Sequence, residues 1–199
     1  MANPASDECL NVIFREAHTH SAWLAKPVDD VLLREVYDLA KLGPTSANTN
    51  PMRVVFVKSA EGKERLKPAL SPGNVEKTMA APVCAIIAND MRFHELIPRL
   101  WPHMPEMADA FTQPGKEEFV ATFAFRNATL QGAYLIIAAR ALGLDAGPMS
   151  GFDNAKVDAE FFPDGRLKSN FLINLGHGDP AKLRPRNPRL SFEEACQII

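Results

Sequence analysis

The stretch from Glu117 to Leu142 constrains the fold more than any other part of the sequence. It contains no proline and a single glycine, Gly132, and its apolar residues recur at helical spacing. A helix of about 26 residues would be roughly 39 Å long. From residue 128 to 142 the pattern is apolar on nearly all sides, which predicts a helix covered all round, either as a domain core or as a wall shared by two subunits. Four polar residues interrupt this surface and argue against a membrane span: Arg126, Asn127, Gln131 and Arg140.

Length and charge narrow the class of protein. We expect residues 1–199 to form one domain, with residues 184–190 as an extended, basic and proline-rich C-terminal arm. A net charge of −2 argues against a nucleic-acid binder and against attraction to anionic membranes. Cys9, Cys84 and Cys196 are odd in number and far apart, and no signal peptide precedes them, so we expect reduced thiols and a cytoplasmic protein.

Short apolar segments alternate with helical ones along the rest of the chain. Strands are predicted at residues 53–58, 82–88, 144–146 and 170–175. Further helices are predicted at residues 7–17, 29–42, 61–70, 75–80, 154–161 and from Ser191, where Ser-x-x-Glu forms a capping box. In the first of these, Leu10, Ile13 and Phe14 should face inward. This pattern predicts an α+β protein, an α/β/α sandwich in which a small mixed sheet is covered on both faces beside the long central helix.

Two polar clusters precede the sheet. His18-Thr19-His20 is more readily a polar turn than a metal half-site, because no partner cluster lies at ligand spacing, but its imidazoles and hydroxyl could also hold an anion. Residues 45–51 are rich in side-chain amides and hydroxyls. Such a run is usually a turn, and it could equally read the edge of a heterocycle.

Three later features have both a structural and a functional interpretation. Asn74 and Lys77 share a helix face. They could be a solvated surface pair, or an amide and a cation directed at one ligand. The loop predicted at residues 147–151 has glycines around Pro148, which would leave backbone N–H groups open to a flat ligand. Arg189 could be part of a solvated basic face or clamp a phosphate.

The sequence contains no motif for nucleophilic, nucleotide-fold or hydrolytic chemistry. No Gly-x-Ser-x-Gly, Gly-x-Gly-x-x-Gly or Walker loop is present, and no pair of carboxylates is prominent. Cys84 lies in a strand that should be buried, which favours a core role over a catalytic one.

Taken together and in order, four segments resemble the FMN-dependent nitroreductase family: residues 43–51, the long helix, residues 147–153 and residues 188–190. In finer detail the chain resembles the malonic semialdehyde reductase branch, on residues 43–48, 142–153, 167–176 and 188–196. The resemblance implies a nitroreductase-like sandwich and a homodimer with two FMN sites built from both subunits. It also implies NAD(P)H as the reductant. In this family flavin N5 carries the hydride chemistry, so no catalytic side chain is assigned.

Positions in the family motifs imply specific contacts. His18, Thr19 and Ser21 fall on the segment that touches the FMN phosphate and ribityl chain, and Arg189 matches a phosphate-binding arginine. The usual early basic run is replaced here, so Arg189 should contribute more to phosphate binding.

The remaining implied contacts concern the flavin ring. Ser46 and Asn48 fall on the loop beside the ring, and Asn74 and Lys77 match residues that face its pyrimidine side. The backbone that lies against the isoalloxazine is implied to come from Pro148, Ser150 and Gly151.

The resemblance implies reduction of 3-oxopropanoate to 3-hydroxypropanoate in pyrimidine degradation. The substrate carboxylate would need a cation, for which Arg92, Arg99 and Arg126 are candidates. Two alternatives remain open at this stage: a nitroaromatic or quinone reductase of the same fold, and a flavin-binding protein without turnover.

Overall fold

The computed structural model describes residues 3–199, and its centre is a four-stranded sheet. The strands are β1 (Met52–Val57), β2 (Val83–Asp90), β3 (Asp145–Met149) and β4 (Leu167–Gly176), in the order β1-β2-β4-β3. All three pairings are antiparallel. The expectation of a mixed sheet was therefore wrong for these strands, and the only parallel contact in residues 3–199 is an isolated bridge between Thr19 and Ala146.

Helices cover both faces of the sheet, which confirms the predicted sandwich. The helices are α1 (Asp7–Leu10), α2 (Asp30–Ala40), α3 (Ala60–Leu66), α4 (Pro72–Ala80), α5 (Ile97–Leu100), α6 (Glu117–Ala141), α7 (Asn154–Phe161) and α8 (Phe192–Ala195). Strand β2 is buried along its whole length, and its alternate side chains enter different cores. Val83, Ala85 and Ile87 join the core with α2 and α6. Cys84, Ile86 and Ala88 join the core with α3 and α7, as period-two alternation requires.

The long helix α6 has 25 residues and ends at Ala141 with Leu142 as its C-cap, one residue before the predicted Gly143, which follows with a positive φ of 78°. Only part of its surface is covered in the single chain. Ala128, Leu135 and Ala139 are fully buried against the sheet. Away from these residues four large side chains of the helix are 39–51% exposed, namely Phe119, Phe125, Leu130 and Tyr134. The prediction of a helix covered all round within one domain core is therefore wrong, and the alternative, a wall shared by two subunits, stays a prediction.

Two buried amides of α6 explain why polar residues interrupt its apolar pattern. Asn127 Oδ1 accepts a hydrogen bond from Ser46 N at 2.7 Å. Gln131 Oε1 accepts from Met52 N at 3.0 Å, and its Nε2 donates to Asn50 Oδ1 at 2.9 Å. The helix thus holds the start of β1 and the loop before it. This loop contains three non-glycine residues with positive φ, a strained conformation that such anchoring can maintain: Ala47, Asn48 and Asn50.

The segment at residues 147–149 is not the loop that the sequence predicted. Gly147, Pro148 and Met149 pair with Asn174, Ile173 and Leu172 as part of β3. A proline is compatible with this position because β3 is an edge strand. Only Ser150 and Gly151 lie in the connection that follows β3.

Differences from the predictions are small at the two ends of the chain. Phe14 is 55% exposed rather than inward-facing, in a π-helical turn at Asn11–Arg15 that follows α1. The capping box at Ser191 and Glu194 is present at the start of α8. Every residue from 180 to 199 is exposed. Within residues 3–199, none of the helices combines the length and the apolar character needed to cross a bilayer.

Candidate functional site

A cationic cavity of about 380 Å³ lies between the segment after the first helical turns and the C-terminal arm. His18, Thr19, Ser21 and Arg189, all predicted site residues, line it together. The lining contains five cationic side chains but one carboxylate, Asp179; the cations are Arg140, Lys182, Arg184, Arg186 and Arg189. This excess of positive charge favours the binding of an anion in the cavity.

Backbone contacts hold the early segment along β3. His20 N donates to Ala146 O at 3.2 Å, and Leu24 N donates to His177 O at 2.8 Å. A side chain at Gly147 would collide with the carbonyl oxygen of His20, so this close approach requires glycine. The segment therefore follows the edge of the sheet, which places Thr19 and Ser21 at the mouth of the cavity.

The buried imidazole of His20 completes the support of this segment. Its Nε2 lies 3.3 Å from Asp145 Oδ1, while Asp145 Oδ2 accepts from Gly178 N at 2.8 Å. The imidazole packs directly on Gly178, where any side chain would overlap it. His20 is thus an oriented structural group behind the cavity wall.

A second group of predicted residues meets at the start of α4. Asn74 Nδ2 donates to Gly151 O at 2.6 Å, and Ser71 N donates to the same oxygen at 3.1 Å. No acceptor within residues 3–199 receives the backbone N–H of Ser150 or of Gly151. The structure therefore brings Asn74 to the connection after β3, next to donors that remain available to a ligand.

Helix α4 is held at its other end by two side chains. Trp23 Nε1 donates to Lys77 O at 3.0 Å, which links α4 to the early segment. The buried ammonium of Lys63 donates to Met79 O and Ala81 O, at the C-terminal end of the helix, where a cation is favourable. Burial lowers the pKa of Lys63. The side chain of Lys77 has no carboxylate partner in residues 3–199.

Ser46 and Asn48 lie apart from the other predicted residues. They precede β1, whereas Pro148 and Gly151 belong to β3 and its end, at the opposite edge of the sheet. Three strand spacings separate these edges, roughly 14 Å. The amide of Asn48 is also already engaged, because its Nδ2 donates to Leu100 O at 2.7 Å. A single chain therefore does not bring Ser46 and Asn48 to the α4 group.

A larger cleft, of about 990 Å³, opens beside Asn48 and runs along α2 and β1. Of the three arginines considered for a substrate carboxylate, only Arg99 lines it. Arg92 lies instead 3.7 Å from Glu95 Oε1. Arg99 is exposed and makes no ion pair within the described part of the chain, residues 3–199.

The sequence analysis missed several residues that line the cationic cavity. Arg140 was considered only as an interruption of an apolar helix, although a lone arginine in such a stretch is itself a signal. Arg186 was considered only as part of a basic run. Its Nη2 donates to Arg15 O at 2.9 Å and to Ala17 O at 2.7 Å, which joins the arm to the early segment.

The geometry of residues 3–199 supports neither a metal site nor a cysteine nucleophile. No group of three His, Cys, Asp or Glu side chains in residues 3–199 could hold a metal ion. Cys84 is fully buried, as expected, and burial raises its pKa to about 12, so the thiol stays neutral and a poor nucleophile.

The cavity wall and the α4 group lie on segments that are also characteristic of a known family. Residues 15–177 match the model of the nitroreductase family. The chain belongs to the nitroreductase family. This nitroreductase-family chain is 61% identical over 194 residues to a protein of Burkholderia lata provisionally named an NADH dehydrogenase/NAD(P)H nitroreductase, and the match covers 97% of each chain.

Solved structures share the fold at low sequence identity. A Bacillus subtilis protein provisionally described as a nitroreductase superposes with a TM-score of 0.85 at 23% identity, over 96% of this chain and 99% of that one. A similarly described protein of Exiguobacterium sibiricum, solved in complex with FMN, superposes with a TM-score of 0.83 at 17% identity over all of both chains. These likenesses confirm the nitroreductase-like fold.

Proposed function

We propose that this chain is an FMN-dependent NAD(P)H oxidoreductase. The observation that carries the proposal is the cationic cavity bounded by His18, Thr19, Ser21 and Arg189, which Trp23 links to the α4 group. Family membership, the NAD(P)H nitroreductase name of the Burkholderia lata relative and the FMN bound to the Exiguobacterium sibiricum protein all support it.

The residues present fit the two ends of FMN. A phosphate would occupy the cavity, where hydroxyl, imidazole and guanidinium donors converge. The ring would lie against Pro148, Ser150 and Gly151, where two backbone N–H groups lack acceptors within residues 3–199. Asn74 is oriented by its bond to Gly151, and the ammonium of Lys77, on the same helix, would favour electron-rich atoms of the ring.

Bound FMN would supply the hydride chemistry, and the protein would orient the reactants. In the proposed cycle NAD(P)H gives up a hydride and leaves as NAD(P)⁺. An acceptor then takes up that hydride and a proton in the same place. The fixed contacts of α4 with Trp23, Lys63 and Gly151 would keep the binding surface unchanged between the two half-reactions.

We also propose that the working form is a homodimer. Ser46 and Asn48 lie at the opposite sheet edge from the α4 group, so only a second chain could bring them to the same flavin. The uncovered side of α6, which presents Phe125, Leu130 and Tyr134, is an apolar surface suited to that contact. The chain would then be one nitroreductase-like domain whose exposed arm, residues 180–199, reaches beyond it.

For the acceptor we propose 3-oxopropanoate, whose reduction at the aldehyde gives 3-hydroxypropanoate, a step of pyrimidine degradation. Arg99 supports a carboxylated acceptor, since it stands without an ion pair in residues 3–199 and lines the cleft that Asn48 shares. A nitroaromatic or quinone acceptor is the second candidate, favoured by the names of the relatives.

Reconstitution tests the proposal in two steps. Purified protein incubated with FMN should retain the flavin through gel filtration and oxidise NADH or NADPH when an acceptor is added. A protein that binds FMN but leaves it oxidised under anaerobic NADPH would be a flavin binder without turnover. Comparison of kcat/KM for 3-oxopropanoate and for 4-nitrobenzoate then separates the two acceptors. A protein that reduces neither compound would contradict the proposal.

A further inference from the structure

Arg140 occupies an unusual position in the last turns of α6. Its Nη1 donates to Ile13 O at 3.1 Å, but its Nε is buried and has no acceptor within residues 3–199. The guanidinium lines the cationic cavity together with His18 and Thr19. A buried donor without a partner is unfavourable, and Nη2 makes no hydrogen bond within residues 3–199 either, so the guanidinium keeps donor capacity for an anion in the cavity.

The charges around Arg140 indicate that the acceptor is an anion. Burial lowers the pKa of Arg140, the charge of Arg186 lowers it further, and Asp145 opposes the shift. The arginine thus sits in a partly desolvated place where another cation is the larger electrostatic influence. Among side chains that line the cavity, the only carboxylate is Asp179, against five cations. A bound dianion would relieve this imbalance.

The identity of the anion follows from the proposed function, on which this inference rests. The early segment supplies no lysine or arginine to the cavity, because it reads Ala17, His18, Thr19, His20 and Ser21. Arg140 projects into the same cavity from a different element, the rigid helix α6. We propose that Arg140 binds the phosphate of FMN and substitutes for the cations that the early segment lacks.

A purely structural role is the alternative, in which Arg140 only joins α6 to Ile13. The two roles differ in one measurable respect, because riboflavin has the same ring and ribityl chain as FMN without the phosphate. A phosphate contact affects FMN alone, whereas a distorted α6 weakens both flavins.

The test compares Arg140→Gln and Arg140→Lys with Arg65→Gln, which removes an arginine outside the cavity that pairs with Glu160 on the protein surface. Dissociation constants for FMN and riboflavin are measured by quenching of flavin fluorescence. We expect Arg140→Gln to weaken FMN binding by about 10- to 100-fold, the usual worth of a charged hydrogen bond, and riboflavin binding less than about twofold. Arg140→Lys keeps a cation and should lie between Arg140→Gln and the unchanged protein.

A second readout does not depend on flavin. Inorganic phosphate at millimolar concentration should raise the Tm of the unchanged protein and of Arg65→Gln, and should raise that of Arg140→Gln much less. Equal loss of FMN and riboflavin, or no loss of either, overturns the inference. If Arg140→Gln does not fold, Arg140→Lys decides alone, by whether FMN binding falls while riboflavin binding is kept. If the unchanged protein binds neither flavin, the proposed function fails as well. If only the Arg140 variants lose binding of both flavins, the inference about Arg140 fails and the proposed function is unaffected.

Discussion

Single contacts at the end of β3 decide how the candidate flavin surface is built. Gly151 accepts hydrogen bonds from both Asn74 and Ser71 through one carbonyl oxygen. A methyl group at Gly151 would lie 2.6 Å from Asn74 Nδ2, closer than van der Waals contact allows. Glycine is required at position 151 because the side chain of Asn74 occupies the space of a Cβ atom. A left-handed backbone is not the reason, since the φ of Gly151 is not positive.

The first prediction concerns Gly151→Ala. Asn74 should lose its bond to Gly151 O and turn away, which would weaken FMN binding by about two- to tenfold, the worth of one neutral hydrogen bond. Gly73→Ala on the same helix is the matched control, because nothing lies within 4 Å of its added methyl. That change should leave FMN binding intact and raise stability slightly, since alanine favours a helix more than glycine does. Equal flavin affinity in the two variants would contradict the argument.

The second prediction concerns Asp90, whose carboxylate is bound by two arginines. Arg53 Nη2 lies 2.6 Å from Asp90 Oδ2, and Arg166 donates to both oxygens at 2.9 Å. Burial raises the pKa of Asp90, but the hydrogen bonds from Arg166 and the Arg92 N–H and the arginine charges outweigh it, so the pKa lies below 3.8. This stabilisation is present above the unfolded pKa and is lost as pH falls through the folded one.

Urea unfolding at pH 7, 5 and 3 checks this sign. The unchanged protein should lose stability below about pH 4. Asp90→Asn should cost about 3 kcal/mol at pH 7, because it removes the carboxylate that Arg53 and Arg166 share and leaves Arg166 with Glu95 as its remaining acidic partner in residues 3–199, and it should show a shallower decline in acid. Asp7→Asn is the control, since Asp7 is highly exposed and its pair with Arg15 contributes little. A decline of the same steepness in Asp90→Asn and the unchanged protein would show that other groups control acid stability.

At the scale of elements, α6 organises the fold by close approach to the sheet. Gly132 faces Phe171 of β4, and a methyl group there would lie 2.5 Å from the ring atom Cζ. The helix can therefore approach the sheet closely at this point only without a side chain. The same helix holds the loop before β1 through Asn127 and Gln131, so its position affects both the inner strand β4 and the β1 edge of the sheet.

The third prediction is that Gly132→Ala destabilises the protein, contrary to the usual effect in a helix. Overpacking against Phe171 should cost about 1–3 kcal/mol, more than the helix propensity of alanine returns. Thermal and urea unfolding measure the change. Gly73→Ala again serves as the control, with the opposite sign expected. A stabilised Gly132→Ala would mean that Phe171 moves aside at little cost.

At the scale of the whole molecule, the single chain leaves a large apolar surface and an incomplete site. The proposed homodimer would explain both the exposed side of α6 and the separation of Ser46 and Asn48 from the α4 group. An aspartate placed in the centre of that surface would be desolvated on assembly.

The fourth prediction is that Leu130→Asp shifts the protein from dimer to monomer. Leu130 is 51% exposed, so the change should cost the monomer little stability. We expect the dimer dissociation constant to rise by at least about 30-fold, as for a hot-spot residue, and FMN affinity to fall with it. Sedimentation equilibrium measures the first and fluorescence titration the second. Ala155→Asp adds the same charge to α7, on the other face of the sheet, and should leave both unchanged. A Leu130→Asp protein that stays dimeric would place the interface elsewhere.

Local patterns in the sequence determined the elements that depend on near neighbours. Helix α6 ends within two residues of Gly143, which has the left-handed φ of a helix terminator; β2 is buried on both faces and Ser191 with Glu194 forms a capping box, both as predicted. Helical periodicity and capping involve residues within a few positions of each other, so they can be read from the chain alone. The family motifs also pointed to His18, Thr19, Ser21 and Arg189, which the structure brings to one cavity from both ends of the chain, while their contact with FMN stays a prediction.

Tertiary structure alone decided the features that depend on distant partners. Residues 147–149 form a strand because β4 pairs with them, and the sheet is antiparallel because each strand runs opposite to the neighbour with which it pairs. Arg140 is a candidate phosphate ligand only because, in the folded chain, the C-terminal arm and the early segment line the same cavity. The physical reason is that strand pairing, desolvation and the lack of a hydrogen-bond acceptor all depend on residues that are distant in the sequence. A local sequence pattern contains no information about which distant residues will surround a given side chain.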